Sequence, residues 1–371
     1  MRLIGSPKKI FGLDISDLSI KAIEIGIRAG KKYIRAMGSA AVPLGYIEDG
    51  EIKNEEGVAE IIKKILEKSE KKFTSKYAVL SLPETKTFIK VIEIPEKNQP
   101  VKETIREELP RHMPISSEDV QMDWQGNNED QKNKKFLVGV VPQSVAEEYT
   151  NVCKMAGVGV AALEIEAQAI ARSVLAEENK TKDINWLSKL INKKDSPKNK
   201  NRDYPPKIIV DFGATRTSLI LVDEGFIQFT NNLNKISGKN ITDKISRELS
   251  LSEDEAEKAK IICGTNPKRC KGAVLKIINN NIDELINEII NADNFYQTHF
   301  GKDTSSLEIV LCGGGANMFN LDGILEDRLG RKVEYGDPLK NIETKPEKRE
   351  GLLSYTTAIG LALRNYLEKN D

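Results

Sequence analysis

Two aspartates set the chemistry that this 371-residue chain could perform. Asp211 ends the apolar, β-branched run 207–210; Phe212, Gly213, Ala214, Thr215, Arg216 and Thr217 follow, and the apolar run 218–222 returns. A strand ending in an acid, a turn of small and hydroxylated residues, and a second strand together make a phosphate-gripping hairpin. Small residues let backbone N–H groups approach a phosphate, hydroxyls add donors, and the strand-end acid can hold the hydrated Mg²⁺ that accompanies a nucleotide. A single turn of this kind also occurs by chance in many α/β proteins. Here it occurs twice: residues 10–15 carry Asp14, the turn holds Ser16, Asp17 and Ser19, and the returning strand carries Lys21. Two such hairpins facing each other clamp one nucleotide from both sides, with Asp14 and Asp211 sharing the metal and Lys21 reaching a phosphate as a point charge. A third turn follows the apolar run 307–312, where Gly313, Gly314, Gly315, Ala316, Asn317 and Met318 allow a flat moiety to lie against backbone.

The elements that position these turns can be read from periodicity. Residues 31–42 continue the first hairpin as a third strand, and Asn54 caps a helix with Val58, Ile61, Ile62, Ile65 and Leu66 on one face. Residues 77–82 and 87–94 read as strands stopped by Pro83 and Pro95, residues 100–109 as a helix broken by Pro110 and Pro114, and 120–124 and 136–141 as strands. A helix over 144–155 ends at Gly157. Residues 77–160 are thus expected to form a small α+β subdomain inserted into a first lobe made of 1–76 and 161–176. Residues 177–204 are too polar to offset their ordering entropy and read as a flexible linker. The second lobe spans 205–371, with a helical subdomain over 238–300 whose long helix, 274–300, buries Leu275, Ile278, Ile282, Leu285, Ile289 and Phe295. Glu166 opens the helix after the strand 161–166, where the helix dipole stabilises an acid.

Together with the ending Thr357, Ala358, Ile359, Gly360, Leu361 and Ala362, these features resemble the actin-like ATPase superfamily. The setting of Lys21 and residues 357–364 look most like its PilM family, the actin-like proteins of type IV pilus assembly, over nearly the whole chain. The chain departs from the pattern at Ser16 and Asp17, where Gly and Ser are usual, and at Ser237–Gly238, which replaces Gly-Gly. The resemblance implies an α/β, actin-like (ribonuclease H-like) two-lobed fold with an FtsA/PilM-type inserted subdomain. It implies Mg-ATP between the two hairpins with Gly238 at the nucleotide, adenosine at Gly313 to Met318, and Glu257 with Lys260 at the ribose, a pair that reads equally as an exposed helix pair. Glu166 falls where the superfamily places a water-orienting catalytic acid, alongside its plain reading as a helix-start acid. Asp17 brings negative charge towards phosphates if it points inward, so hydrolysis is expected to be slow or absent.

The implied function is a cytoplasmic ATP-binding scaffold, peripheral to the inner membrane through its partners, that binds the cytoplasmic tail of a PilN-like bitopic membrane protein. Pilus motor ATPases and self-association extend that partner set. The tail is expected on the inserted subdomain around Ile94, Pro95, Met113, Pro114 and Ile115, an apolar, Pro-punctuated edge that can take an extended peptide or can pack against the first lobe. Two other classes stay open: an FtsA/MreB-like polymerising cytoskeletal ATPase, and an actin-fold small-molecule kinase. No basic amphipathic tail helix of the FtsA kind is read, and residues 77–160 offer the kinase no recognisable catalytic Asp.

Lys plus Arg and Asp plus Glu are equal at 56 each, so no global field attracts nucleic acid or anionic lipid. The cysteines at 153, 263, 270 and 312 form no CxxC pair and only two histidines are present, which argues against zinc and suggests free thiols in a reducing compartment. No signal-peptide core and no run of about 18 apolar residues is found, so a soluble cytosolic protein is expected.

Overall fold

The computed structural model describes residues 9–94, 100–112, 119–126, 134–175, 205–223, 226–344 and 351–367. The first hairpin is β1 (Phe11–Ser16) and β2 (Ser19–Arg28), extended by β3 (Lys31–Ala41); a ribbon of β4 (Ile47–Glu48) and β5 (Glu51–Ile52) leads to α1 (Glu55–Lys68) and β6 (Tyr77–Leu82). Next come β7 (Phe88–Ile94), α2 (Val101–His112), β8 (Val120–Gly126), β9 (Lys134–Pro142), α3 (Gln143–Met155), β10 (Gly159–Ile165) and α4 (Glu166–Val174). The second hairpin, β11 (Lys207–Phe212) and β12 (Thr217–Asp223), is followed by β13 (Phe226–Leu233), α5 (Gly238–Leu249), α6 (Glu253–Cys263) and α7 (Ala273–Phe300). The chain then runs through β14 (Glu308–Cys312), α8 (Leu321–Leu329), β15 (Val333–Tyr335) and α9 (Thr356–Leu367).

Two sheets organise the molecule: β10-β6-β1-β2-β3, and β15-β14-β11-β12-β13-β7-β9-β8. Strand β11 shows why its run is continuously apolar. Lying between β14 and β12, it turns Ile208 and Val210 into one core and Ile209 into another, so both faces are covered. Helices α5, α7 and α8 cover one face of the second sheet, and α4 covers the other with Ala167, Ile170 and Val174. The first sheet mirrors this arrangement. Helices α1 and α3 pack on one face around the fully buried Tyr149, while α9 lies on the other against Ile23 and Ile25. Helices α4 and α9 therefore run between the sheets in contact with each other. The expected actin-like two-lobed architecture is what forms.

Helix starts follow local chemistry. Asn54 accepts a hydrogen bond from the Gly57 N–H at 2.8 Å, and Ser252 with Glu255 forms a capping box on α6.

Several expectations change. The insertion is narrower than 77–160, because β6 pairs in parallel with β1 and β10, and α3 packs in the first-lobe core. What remains, β7, α2, β8 and β9, joins the second sheet through Phe229 of β13 opposite Lys90 of β7. Helix α2 continues through Pro110 to His112, although the proline removes the bond to the Arg106 carbonyl and crowds it; only two residues follow it in the helix. On α7 the stripe ends on Tyr296, 1% exposed, and Phe295 faces outward against His299. Cys263 and Cys270 form a disulfide rather than free thiols: α6 ends at Cys263 and a 3₁₀ turn brings Cys270 back to it. The expected linker at 177–204 lies outside the described residues.

Candidate functional site

The turns β1–β2 and β11–β12 face one open cleft of ≈ 850 Å³, counting its solvent-filled mouth. Asp14, Ser16, Leu18, Ser19 and Lys21 line it from the first sheet, and Asp211, Gly213, Ala214, Thr215, Arg216 and Ser218 from the second. Antiparallel register places Asp14 opposite Lys21, whose ammonium is 3.9 Å from the carboxylate and donates to Ser19 Oγ at 2.6 Å. Asp14 also accepts from the Ser16 and Ser81 hydroxyls at 3.2 and 3.1 Å. Asp211 sits beneath the third turn. A Cβ on Gly313 would stand 2.5 Å from Asp211 Oδ1, and the φ of +83° there is one that glycine tolerates, so Gly313 is required twice over.

The second turn is tight: the Gly213 N–H donates to the carbonyl of Arg216 at 2.9 Å. The start of α5 is pinned to it, with the Gly238 and Lys239 N–H groups bonded to the carbonyls of Gly213 and Ala214. Gly238, Glu257 and Lys260 come together beside this turn. Lys260 Nζ donates to the Gly238 carbonyl, Thr242 Oγ1 and Glu257 Oε2 at 3.1, 2.9 and 2.6 Å, and neither it nor Glu257 is among the cleft-lining residues. Two other expected members turn inward. Thr217 spends its hydroxyl on the Ile236 carbonyl at 2.7 Å, and Met318 is 1% exposed. Gly313 and Gly314 line the cleft, Gly315 packs on the Phe212 ring, and Asn317 donates to the Gly314 carbonyl at 2.9 Å.

Asp17 does not point into the cleft. Its carboxylate accepts from the Gly50 N–H and from Thr215 Oγ1, each at 3.0 Å, and lies 3.7 Å from Arg216. The expected like-charge conflict with phosphates from an inward-pointing side chain is therefore not formed.

An acidic cluster forms the cleft floor, with Asp14, Glu166 and Asp211 lining it and Glu84 behind. Glu166, at the start of α4, is 8% exposed; burial raises its pKa well above the usual value against the pull of Arg216, and Asp14, Glu84 and Asp211 push the same way. Asp211 is raised to about 6, by burial first and then by Asp14. Glu84 was missed in the sequence, where the Pro before it reads only as a strand stop. It sits in the 3₁₀ turn after β6, 4% exposed, with neither carboxylate oxygen hydrogen-bonded, and burial raises it to about 7. Arg216 is the buried cation among these acids. Leu353, Ser354, Thr356 and Thr357 complete the wall; the hydroxyl cluster before an apolar helix was the available signal. Among the described residues no group of three or more His, Cys, Asp or Glu is arranged to hold a metal ion directly. The donor set still suits a hard cation taken through its waters: Asp14 and Asp211 with serine hydroxyls, in a site whose carboxylates repel one another.

A second groove, ≈ 790 Å³ with its open side, separates the insertion from the first lobe. Strands β8 and β10, each last in its sheet, bound it. Its walls include Met122, Trp124, Leu137, Val140, Leu163 and Ile165, and its floor holds Glu164 with Arg172 and Arg364. Burial raises the Glu164 carboxyl, but the two guanidinium groups prevail and hold it below the usual range. Ile94, expected at a partner surface, is instead 2% exposed in the insertion's own core beneath Ile105 and Leu109 of α2. A strand-end residue facing that helix has no route to a partner. Pro95, Met113, Pro114 and Ile115 lie outside the described residues.

Among the described residues, no helix is long and apolar enough to cross a membrane. Solved structures share the fold. A "PilM-PilN type IV pilus biogenesis complex" chain matches with TM-score 0.75 at 21% identity, covering 97% of this chain and 99% of that one. MreB 5 of Spiroplasma citri bound to AMPPNP matches with TM-score 0.54 at 13% identity, covering 99% and 98%. The ethanolamine utilization protein EutJ from Carboxydothermus hydrogenoformans matches with TM-score 0.53 at 14% identity, covering 98% and 92%. Residues 12–366 match the family described as type IV pilus assembly protein PilM, and the chain belongs to that family.

Proposed function

We propose that this chain is an ATP-binding, actin-like scaffold of the type IV pilus inner-membrane assembly platform. The observation that carries the reading is the pair of Asp-ended hairpins brought from two different sheets to one cleft. Lys21 and the serine hydroxyls offer phosphate donors, the start of α5 adds the positive end of its dipole beside the second turn, and Gly313 and Gly314 admit a flat base. Mg²⁺ held through water by Asp14 and Asp211 would neutralise the phosphates and the facing carboxylates. In that arrangement Glu166, at the start of α4 beside both hairpins, would orient a water. Because the related MreB 5 structure is described as bound to AMPPNP, calorimetry with Mg-AMPPNP is the direct test. Asp211→Ala is expected to weaken binding at least tenfold; unchanged affinity overturns the site.

The same reading assigns the cytoplasmic tail of a PilN-like membrane protein to the groove between β8 and β10, a partner suggested by the related PilM-PilN complex. Two strand edges, apolar walls and an unpaired buried acceptor, Gln121 Oε1, suit an extended peptide that supplies its own N–H groups.

A further inference from the structure

The turn of the first hairpin and the turn of the second touch beside the cleft, and Asp17 is the contact. Its carboxylate takes the Thr215 hydroxyl at 3.0 Å, faces the Arg216 guanidinium at 3.7 Å and takes the Gly50 N–H at 3.0 Å. Arg216 in turn donates to Thr85 Oγ1 at 3.1 Å, and that hydroxyl donates to the Asp49 carbonyl at 2.8 Å. A threonine hydroxyl, a guanidinium and a backbone N–H are the donor set that phosphate oxygens recruit. Thr215 and Arg216 line the cleft, whereas Asp17, 5% exposed, lies behind them.

We propose that Asp17 is a built-in anion that stands in for a terminal phosphate: it holds the two phosphate turns together without nucleotide, and it makes the cleft favour a nucleoside diphosphate over a triphosphate. The latch follows from the bonds above, since Asp17 comes from the first sheet and Thr215 from the second. The preference rests on the nucleotide reading of the cleft. A third phosphate would compete with Asp17 for the Thr215 and Arg216 donors, whereas a diphosphate leaves that contact undisturbed.

Three single substitutions in the full chain separate the parts. Asp17→Ala and Thr215→Val each cut the latch and are expected to enlarge the radius of gyration of the nucleotide-free protein in small-angle scattering, with circular dichroism unchanged. Asp17→Asn keeps the acceptor and removes the charge, so the protein stays compact. Calorimetry with Mg-ADP and Mg-AMPPNP is expected to show the wild type favouring the diphosphate by roughly tenfold, and Asp17→Asn erasing that ratio. Compact Asp17→Ala and Thr215→Val proteins overturn the latch, and an unchanged ratio in Asp17→Asn overturns the surrogate anion. If the wild type and all variants bind neither nucleotide, the nucleotide reading and the preference both fall, and scattering alone decides the latch.

Discussion

At Glu84 a carboxylate is buried with only weak help from the nearby Ser218 hydroxyl and Ala167 backbone, and such groups are costly unless they stay neutral. Its ordinary pKa of 4.5 becomes about 7 in the folded chain, first through burial and then through Asp211. The folded state thus binds the proton more tightly than the unfolded state. The stability this contributes is fully present below about pH 4.5 and is lost as pH rises towards 7. Glu84→Gln carries no titrating proton, so its stability relative to wild type should climb across that window, by up to about 3 kcal/mol. Urea unfolding at pH 4.5 and pH 8 checks this; a constant offset between the two proteins contradicts it. Nothing at the level of motif exposes Glu84, because its role comes from β6 bringing the Pro83–Thr85 turn under the second hairpin. Asp14 and Asp211 were legible because a strand, an acid and a turn of small residues are local features.

Among elements, α4 and α9 cross closely. A Cβ on Gly360 would stand 1.8 Å from the Ala169 carbonyl oxygen, and one on Gly12 would stand 2.1 Å from that of Ala358. A side chain at Gly360 must separate α9 from α4, and one at Gly12 must separate α9 from β1, so Gly360→Ala should cost about 1–3 kcal/mol of unfolding free energy. A chemical-denaturation midpoint equal to wild type would show that the crossing relaxes freely. The final helix itself could be read from its apolar spacing. Its near-complete burial, with Ala358, Ile359, Leu361, Ala362 and Leu363 all 0% exposed, could not, since that depends on a sheet on one side and α4 on the other. The allegiance of the insertion was hidden for the same reason: β7 reads as an ordinary apolar strand, and neither its pairing with β13 nor the burial of Ile89 in one core and Ile92 in another is local.

At the scale of the whole molecule, the two central helices join the cleft between the hairpins to the groove between β8 and β10. Helix α4 begins with Glu166 in the cleft and carries Arg172 on the groove floor; α9 begins with Thr356 and Thr357 in the cleft and carries Arg364 on the same floor. Both arginines meet on Glu164, and Arg172 also donates to the Gly360 carbonyl at 2.9 Å. A movement of the lobes that shifts the helix starts must therefore shift the groove floor. Coupling between linked sites usually amounts to about 1–3 kcal/mol. If Asp17 holds the turns together as proposed, the wild type should sit near the lower end, about 1 kcal/mol. A labelled cytoplasmic-tail peptide of a PilN-like protein, titrated with and without Mg-AMPPNP, should thus change affinity about fivefold in the wild type and more in Asp17→Ala. Gln121→Ala should weaken the peptide and leave nucleotide affinity unchanged, since Gln121 lines only the groove. Peptide affinities that ignore nucleotide in both the wild type and Asp17→Ala would mean that α4 and α9 move as one rigid body with the groove.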